Sequence, residues 1–280
     1  KVADHAQKGQ KVQAVLKETP FYAEGGGQVG DTGTITGPMG CIRVENTQRP
    51  VGNLVVHYGY LEDGSIGVSE NVRATVDSHR RGDTSSNHTA THMLHAALRQ
   101  VLGLHVRQAG SLVTPDRLRF DFTHIGSISR EDLCQVQCLV NEKVRQDVTV
   151  QHRESTYQSA VQNGALAFFG DQYGECVRVV EGSGSTPFSL EVCGGTHVAR
   201  TGEVGYFHIV SDGSIGSGVR RIEAVTGRAA EQLIWERTGL LDRLAHRFKT
   251  THTQLEQRID ALVQELNQAQ KQAGASEREL

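Results

Sequence analysis

Two stretches, Asn87-His-Thr-Ala-Thr-His92 and Cys193-Gly-Gly-Thr-His197, decide how this chain is interpreted. Each places two metal-ligating side chains four residues apart, and together they supply three imidazoles and one thiolate. This is the kind and number of ligands that zinc prefers in proteins. Either pair alone is readily explained as an accident or a surface feature. The two together predict one shared zinc site formed by His88, His92, Cys193 and His197.

The first pair lies in residues 85–103, which have the apolar spacing of an amphipathic helix. The polar residues at 85–87 are expected to cap this helix, and Gly103 is expected to end it. On a helix, His88 and His92 lie one turn apart on a single face, so both can bind one ion. The second pair spans two glycines, which predicts a tight loop that brings its ligands together.

The helical pair differs from the motif of zinc-dependent proteases. That class requires His-Glu-x-x-His, in which the glutamate is the general base. Here Thr89 occupies the glutamate position, and a threonine cannot take a proton from water at neutral pH. Peptide hydrolysis is therefore disfavoured.

Composition indicates an ordinary soluble globular protein. The chain has 280 residues, of which 37 % are hydrophobic and 22 % charged, and it contains no apolar run near 18 residues, so no membrane span is expected. The five cysteines are odd in number and irregularly spaced, which suggests no disulfide framework and makes the reducing cytoplasm the expected location. Cys134 and Cys138 are expected to be buried in a helix. Because the chain starts at Lys1 without Met, it is expected to be part of a longer protein.

Charge is unevenly distributed along the chain. The net charge of −3 argues against indiscriminate binding of nucleic acid. Arginines nevertheless outnumber acidic residues over 73–130, around the first histidine pair, and Arg220 and Arg221 form a later pair. Such arginines suit phosphate contacts along a limited stretch of nucleic acid, and they equally suit a solvated surface.

Three segments are predicted, giving an α+β protein with mainly antiparallel sheet. Residues 1–80 alternate short apolar runs with turns and predict a small β-barrel, which contains a loop of three glycines, Gly25, Gly26 and Gly27, before Gln28. Residues 81–227 mix strands and helices and hold both ligand pairs. Residues 228–280 carry a heptad pattern and predict one long, coiled-coil-like helix. Strands are expected at 11–16, 32–37, 54–58 and 72–76, and further helices at 129–144 and 156–169.

Six motifs, in order, resemble alanyl-tRNA synthetase. The resemblance runs over nearly the whole chain and points to the editing domain with the start of the helical linker that follows it. The aminoacylation and tRNA-recognition domains of that family have no counterpart here, and ATP and Mg²⁺ belong to the absent aminoacylation domain. The motifs are Phe21-Tyr-Ala-Glu-Gly-Gly-Gly-Gln28, Asn87-His-Thr-Ala-Thr-His92, Gln108-Ala-Gly-Ser111, Arg119-Phe-Asp-Phe122, Cys193-Gly-Gly-Thr-His197 and Gly218-Val-Arg-Arg-Ile-Glu-Ala-Val-Thr226.

The resemblance implies proofreading: hydrolysis of the ester that joins serine or glycine to alanine tRNA. The partner is then the acceptor end of that tRNA, and the C-terminal helix offers a surface for self-association. One departure is that Gly25 stands where the family often has serine. The roles carried over are zinc binding by His88, His92, Cys193 and His197, a catalytic role for Gln108, shaping of the cleft by Gly25, Gly26, Gly27 and Gln28, and tRNA contact by Arg220 and Arg221.

Several alternatives stay open at this level. The chain could be a stand-alone trans-editing deacylase, or a zinc-stabilised module that binds tRNA without chemistry. Four protein ligands close a tetrahedral zinc, so either one ligand yields to water or the ion only orients the substrate. We favour orientation, with water activated by the neighbouring ribose hydroxyl and positioned by Gln108. Glutamine cannot be a general base, and Gln108 could equally be a structural turn residue.

Overall fold

Two compact units make up the chain. The structure, a computed structural model, describes residues 5–167, 175–182 and 188–279. The first unit is Lys1–Ala230 and the second is Glu231–Leu280. The first unit contains three antiparallel sheets, which confirms the predicted α+β class.

The first sheet has six strands and precedes the first long helix. The strands follow the order β1-β5-β4-β3-β6, and β2 also pairs with β5. All four predicted strands are present, but the sequence prediction misses β1 and β4. In β4, the polar run from Glu45 hides the alternation of Ile42 and Val44. The described strands pair as an open path, so closure into a barrel stays a prediction. The strands are β1 (His5–Gln7), β2 (Lys11–Ala14), β3 (Gly33–Thr36), β4 (Gly40–Val51), β5 (Leu54–Gly67) and β6 (Arg73–Val76).

Helix α1 (Ser78–Leu102) begins seven residues earlier than predicted. Its cap is Asp77, whose side chain accepts a hydrogen bond from the backbone N–H of Arg80 at 3.0 Å. The polar residues at 85–87 are buried inside the helix, where their side chains bond to other parts of the fold. The sequence prediction mistook these tertiary contacts for a cap. The helix ends at Gly103 as predicted, and the Gly103 N–H bonds to the Arg99 carbonyl at 3.1 Å.

The second sheet packs against α1 and forms the main core. It comprises β7 (Gln108–Val113), β8 (Leu118–Thr123), β12 (His208–Gly216) and β13 (Val219–Val225), in the order β12-β13-β8-β7. Helix α2 (Arg130–Arg145) also contributes, and Ser129 caps it by accepting the Asp132 N–H at 3.0 Å, as the sequence predicts. Cys134 and Cys138 lie on this helix but are exposed, so the prediction that they are buried is wrong. The fully buried side chains of this core include Leu94, Leu98, Phe120, Phe122 and Ile222.

The third sheet carries the segment that leads to Cys193. It comprises β9 (Val150–Thr156), β10 (Cys176–Gly182) and β11 (Leu190–Val192), in the order β11-β10-β9. The helix predicted at 156–169 is much shorter in the structure, where α3 covers only Tyr157–Gln162. Gly164 follows it at φ +86°, a conformation that glycine adopts without strain. Residues 168 and 169 of that prediction lie outside the described residues.

The single long helix predicted after residue 228 is wrong. Two helices occur instead, α4 (Gly227–Arg247) and α5 (Leu255–Glu279). The break follows a left-handed residue, Lys249 at φ +51°, whose N–H bonds to the His246 carbonyl, while the Thr250 N–H bonds to the Ala245 carbonyl. This is a Schellman ending, which the heptad pattern of apolar residues does not reveal. No helix in the described part of the chain is both long and apolar enough to span a membrane.

Asp31 joins the first sheet to α1. Its side chain is almost fully buried, accepts the Tyr22 N–H at 2.6 Å and pairs with the guanidinium of Arg81, whose Nε lies 2.8 and 2.9 Å from the two carboxylate oxygens. We expect Asp31→Asn to lower the free energy of unfolding by about 3 kcal/mol, because it leaves the half-buried Arg81 without its partner. Urea denaturation measures this change.

A matched control is Asp63→Asn. Asp63 forms an exposed ion pair with Lys8 at 3.1 Å, and such pairs add little to stability. We expect no measurable change in the urea midpoint for this variant. Equal losses in the two variants would contradict a specific role for the buried pair.

Candidate metal centre

The four predicted ligands meet at one point in the first unit. His88 and His92 lie one turn apart on α1, with stacked rings whose centroids are 5.2 Å apart. Cys193 follows β11 directly, and its Sγ lies 3.3 Å from Nε2 of His88 and 3.4 Å from Nε2 of His197. One donor atom from each of the four residues lies within 4.8 Å of the others. In the described part of the chain, no other group of three or more histidine, cysteine or acidic side chains converges in this way.

The loop from Cys193 to His197 is held in shape by a glycine and an arginine. Gly195 is buried against the ring of His88, and a Cβ at this position would overlap that ring. The guanidinium of Arg178, on β10, donates to the Cys193 carbonyl at 3.0 Å and also to the Gly195 carbonyl. The second glycine of the motif is therefore required by close approach, and Arg178 fixes the curvature of the loop.

Each of the three histidines is oriented through its Nδ1 atom. A proton on Nδ1 leaves the lone pair of Nε2 free to face a metal ion. The Nδ1 atoms of all three rings have a partner within hydrogen-bond distance, and these partners come from three different parts of the fold. The partners are Gln28 Oε1 for His88 at 2.6 Å, Glu191 Oε2 for His92 at 2.6 Å, and Thr89 Oγ1 for His197 at 3.1 Å.

The electrostatic surroundings favour the thiolate form of Cys193. Burial alone would raise the pKa of the Cys193 thiol, but the neighbouring charges of the three histidines outweigh it and lower the pKa well below its usual range. Burial, together with repulsion from His88, lowers the pKa of His197 to about 3. Burial opposes ionisation of Glu191, but His92 holds the pKa of this carboxyl well below its usual range. The centre therefore presents a soft anionic sulfur and a neutral imidazole, as a zinc site requires.

The donor set fits a zinc ion. Zinc bonds of about 2.0 Å to nitrogen and 2.3 Å to sulfur in a tetrahedron separate the ligand atoms by roughly 3.5 Å, and the two sulfur–nitrogen distances above match this spacing. The Nε2 atom of His92 is buried and has no hydrogen-bond partner among the described residues. A buried polar atom normally has such a partner, so a metal ion at this point would satisfy it. His88, His92, Cys193 and His197 are therefore the residues that could hold zinc.

The glycine-rich loop reaches the centre through one residue. Gln28 is fully buried and contacts His88, whereas Gly25, Gly26 and Gly27 contribute backbone only. Gly26 and Gly27 have positive φ angles of 59° and 84°, which favour glycine. The loop also borders a surface cavity of about 420 Å³, lined in part by Gly25, Gly27, Arg49 and Leu112.

The other predicted site residues are held by different contacts. Gln108, on β7, donates from Nε2 to Ser111 Oγ at 3.1 Å and is partly exposed. Arg220 is buried and paired with Asp212, while Arg221 forms a two-pronged ion pair with Asp121 at 2.7 and 2.8 Å. Both guanidiniums are thus bound to carboxylates of their own sheet. A contact of either arginine with tRNA stays a prediction, as does catalysis by Gln108.

Sequence reasoning missed three residues beside the centre. Glu191 is a carboxylate inside an apolar strand, and its two oxygens contact His92 and, at 2.9 Å, Nδ1 of His95. His95 lies three residues after His92 on α1, and this helical spacing could have predicted that it lies beside the centre. His152 is largely exposed on β9, with its ring centroid 5.8 Å from that of His197. Partial shielding of the ring from water, together with the charge of Arg178, lowers its pKa. Nothing in the local sequence distinguishes His152 from a surface histidine.

Family models match two parts of the chain. The model described as tRNA synthetases class II (A) matches residues 1–80, which include the glycine-rich loop. The model described as Threonyl and Alanyl tRNA synthetase second additional domain matches residues 177–223, which include Cys193 and His197. The glycine-rich loop and the Cys193–His197 loop therefore lie in parts that match synthetase models, whereas His88 and His92 lie between the two matches.

Similar proteins extend the match to most of the chain. An alanine–tRNA ligase of Chloroflexus aurantiacus is 52 % identical over 279 residues, covering 96 % of this chain and 31 % of the relative. The chain belongs to the alanine–tRNA ligase family. The alanine–tRNA ligase of a Roseiflexus species is 48 % identical, covering 95 % and 32 %, and that of Thermus thermophilus is 49 % identical, covering 94 % and 30 %. The chain thus spans about a third of the length of these ligases.

We expect the chain to bind one zinc ion. We also expect Cys193→Ala to weaken this binding by more than about 100-fold, because loss of a residue that only orients a ligand already costs about 10–100-fold. Competition with a chromophoric chelator measures the affinity. Cys176→Ala is the control, because Cys176 is an exposed thiol on β10. Equal affinities in the two variants would rule out Cys193 as a ligand.

Proposed function

We propose that this chain hydrolyses the ester between a wrong amino acid, serine or glycine, and alanine tRNA. The observation that carries the proposal is the convergent Cys-His₃ centre, three of whose four ligands are partly exposed. A purely structural zinc site is usually enclosed, whereas partial exposure lets a substrate reach the ligands. Membership of the alanine–tRNA ligase family supports tRNA as the partner. The part of the tRNA that binds at the centre would be its acceptor end, which carries the amino acid.

Hydrolysis of an aminoacyl ester asks mainly for orientation. The ester is already activated, so holding it beside a positioned water and stabilising its developing oxyanion supply most of the rate. Zinc held by these residues would be a Lewis acid that could bind the neutral amino group or polarise the carbonyl. Four protein ligands complete a tetrahedron, so we assign water activation to the neighbouring ribose hydroxyl of the tRNA. Gln108 would position that water by hydrogen bonding.

The surroundings of the centre suit a polar substrate. His152 lies at its exposed side, and its lowered pKa keeps the imidazole neutral near pH 7, able to accept a hydrogen bond. Arg178 contributes a positive charge nearby while it holds the Cys193 loop. These groups would face the ester and the terminal nucleotide.

Other features of the whole ligase are proposals of the same kind. Aminoacylation with ATP and Mg²⁺ would belong to the remaining two-thirds of the relatives' length. A cytoplasmic location follows from that role in protein synthesis. Self-association through α4 and α5 would use their exposed apolar residues, such as Trp235, which is 79 % exposed.

The decisive assay compares serine and alanine on alanine tRNA. We expect the chain to deacylate the seryl form faster than the alanyl form, and Gln108→Ala to lower kcat/KM for the seryl form by about 100-fold, the typical loss for one hydrogen-bond donor at a reacting oxygen. Single-turnover hydrolysis of radiolabelled aminoacyl-tRNA provides the rates.

The control for that variant is a glutamine away from the glycine-rich loop. Gln13 is an exposed residue on β2, and Gln13→Ala should leave kcat/KM unchanged. Binding of the tRNA without hydrolysis would instead favour a non-catalytic zinc-stabilised module. Full activity of Gln108→Ala would remove this residue from the mechanism.

A further inference from the structure

Gln28 is a buried amide that links the first sheet to both halves of the metal centre. Its side chain is fully buried, although it belongs to a glycine-rich loop in which most neighbours are accessible. Oε1 lies 2.6 Å from Nδ1 of His88 and accepts the backbone N–H of Thr196 at 2.9 Å. Nε2 donates to Oγ1 of Thr196 at 2.9 Å. One side chain thus contacts α1 and the Cys193–His197 loop at once.

The loop that carries Gln28 is fixed against the second sheet. Gly25 and Gln28 exchange backbone hydrogen bonds at 3.0 and 3.1 Å, which closes the loop. The Val113 N–H donates to the Gly27 carbonyl at 2.7 Å. A Cβ at Gly27 would come within 2.5 Å of Ser111, so only glycine allows this approach. The glycines therefore serve to bring Gln28 to the centre.

The contacts of Gln28 determine which way its amide faces. The backbone N–H of Thr196 can only donate, so the atom that it contacts must be the carbonyl oxygen. The same oxygen can accept a hydrogen from Nδ1 of His88, which fixes the tautomer whose Nε2 lone pair faces Cys193. The remaining NH₂ group of Gln28 then donates to the Thr196 hydroxyl. An amide satisfies both demands, whereas a carboxylate lacks the donor and an apolar side chain lacks the acceptor.

We propose that Gln28 is a positioning residue that assembles the metal centre from the first sheet. It holds the His88 ring and the Cys193–His197 loop in the one arrangement in which their donor atoms converge. This assignment goes beyond the expectation that Gln28 shapes the cleft, because all of its described hydrogen bonds are internal. The loop at residues 25–28 is therefore a structural part of the metal centre. The proposal concerns metal binding, and only its activity test rests on the proposed deacylase function.

The first test is the zinc affinity of Gln28→Met, which keeps the side-chain volume but removes the acceptor. We expect binding to weaken by about 10–100-fold, the usual loss when the partner of a metal-ligating histidine is removed. Gln28→Glu keeps an acceptor for His88, so its loss should be smaller than that of Gln28→Met. Affinities come from chelator competition on the full 280-residue chain, and circular dichroism shows whether each variant is folded.

Two controls separate positioning from general damage. Gln13→Met makes the same change at an exposed position of the first sheet, and Gln108→Met makes it on β7. Neither should alter the zinc affinity. Substitution by Co²⁺ adds a direct readout, because the visible absorption of bound Co²⁺ reports ligand geometry. A changed spectrum is expected for Gln28→Met alone. Unchanged affinity and an unchanged spectrum in folded Gln28→Met would overturn the proposal.

The activity test uses the same variants with seryl-tRNA. If Gln28 acts through metal binding, added Zn²⁺ should restore deacylation by Gln28→Met towards that of the unchanged chain, whereas Gln108→Ala should not respond. Lost activity in Gln28→Met that zinc does not restore, together with normal zinc affinity, would make Gln28 a substrate contact. Absence of deacylation in the unchanged chain would defeat the proposed function and leave the metal result to decide the role of Gln28.

Discussion

Three imidazole rings must each turn the same nitrogen towards one thiolate. A ring attached to a helix or a loop can rotate, and only a partner at Nδ1 selects the tautomer and the ring plane that present Nε2. In this chain the partners are an amide, a carboxylate and a hydroxyl, and each comes from a different element. The convergence of the donor atoms therefore depends on the tertiary fold as much as on the ligands.

This constraint explains features of the fold that otherwise look unrelated. α1 is long enough to carry Asp77 as its cap, Arg81 as the partner of Asp31 and the two histidine ligands in one rigid element. β11 places Glu191 two residues before Cys193, so the carboxylate and the thiolate lie on either side of His92. Glycines occur where the loops approach most closely, at Gly27 against Ser111 and at Gly195 against His88. The centre is thus the point where α1, the third sheet and the loop between β2 and β3 meet.

Local patterns predicted the ligands because their spacing is local. His88 and His92 are one helical turn apart, and Cys193 and His197 flank two glycines, so a segment of five residues contains the information for each pair. The orienting partners are different, since Gln28 lies 60 residues from His88 and 168 from Thr196. No sequence pattern over such distances identifies which amide will be buried against which ring.

Secondary structure shows the same division. The cap of α2 at Ser129 was readable because its hydrogen bond spans three residues. The start of α1 was misplaced because its polar residues at 85–87 make tertiary contacts that resemble capping signals. The break between α4 and α5 was missed because a lysine such as Lys249, unlike a glycine, does not predict a left-handed helix ending. Arg220 and Arg221 suited phosphate contacts and a solvated surface equally, and only the structure shows that they pair with Asp212 and Asp121.

The central claim is that His88, His92, Cys193 and His197 together bind one zinc ion. X-ray absorption at the zinc edge tests it most directly on the purified, zinc-loaded chain. The account predicts one sulfur at about 2.3 Å and three nitrogens at about 2.0 Å. A first coordination sphere without sulfur, or one made mainly of water oxygens, would contradict it.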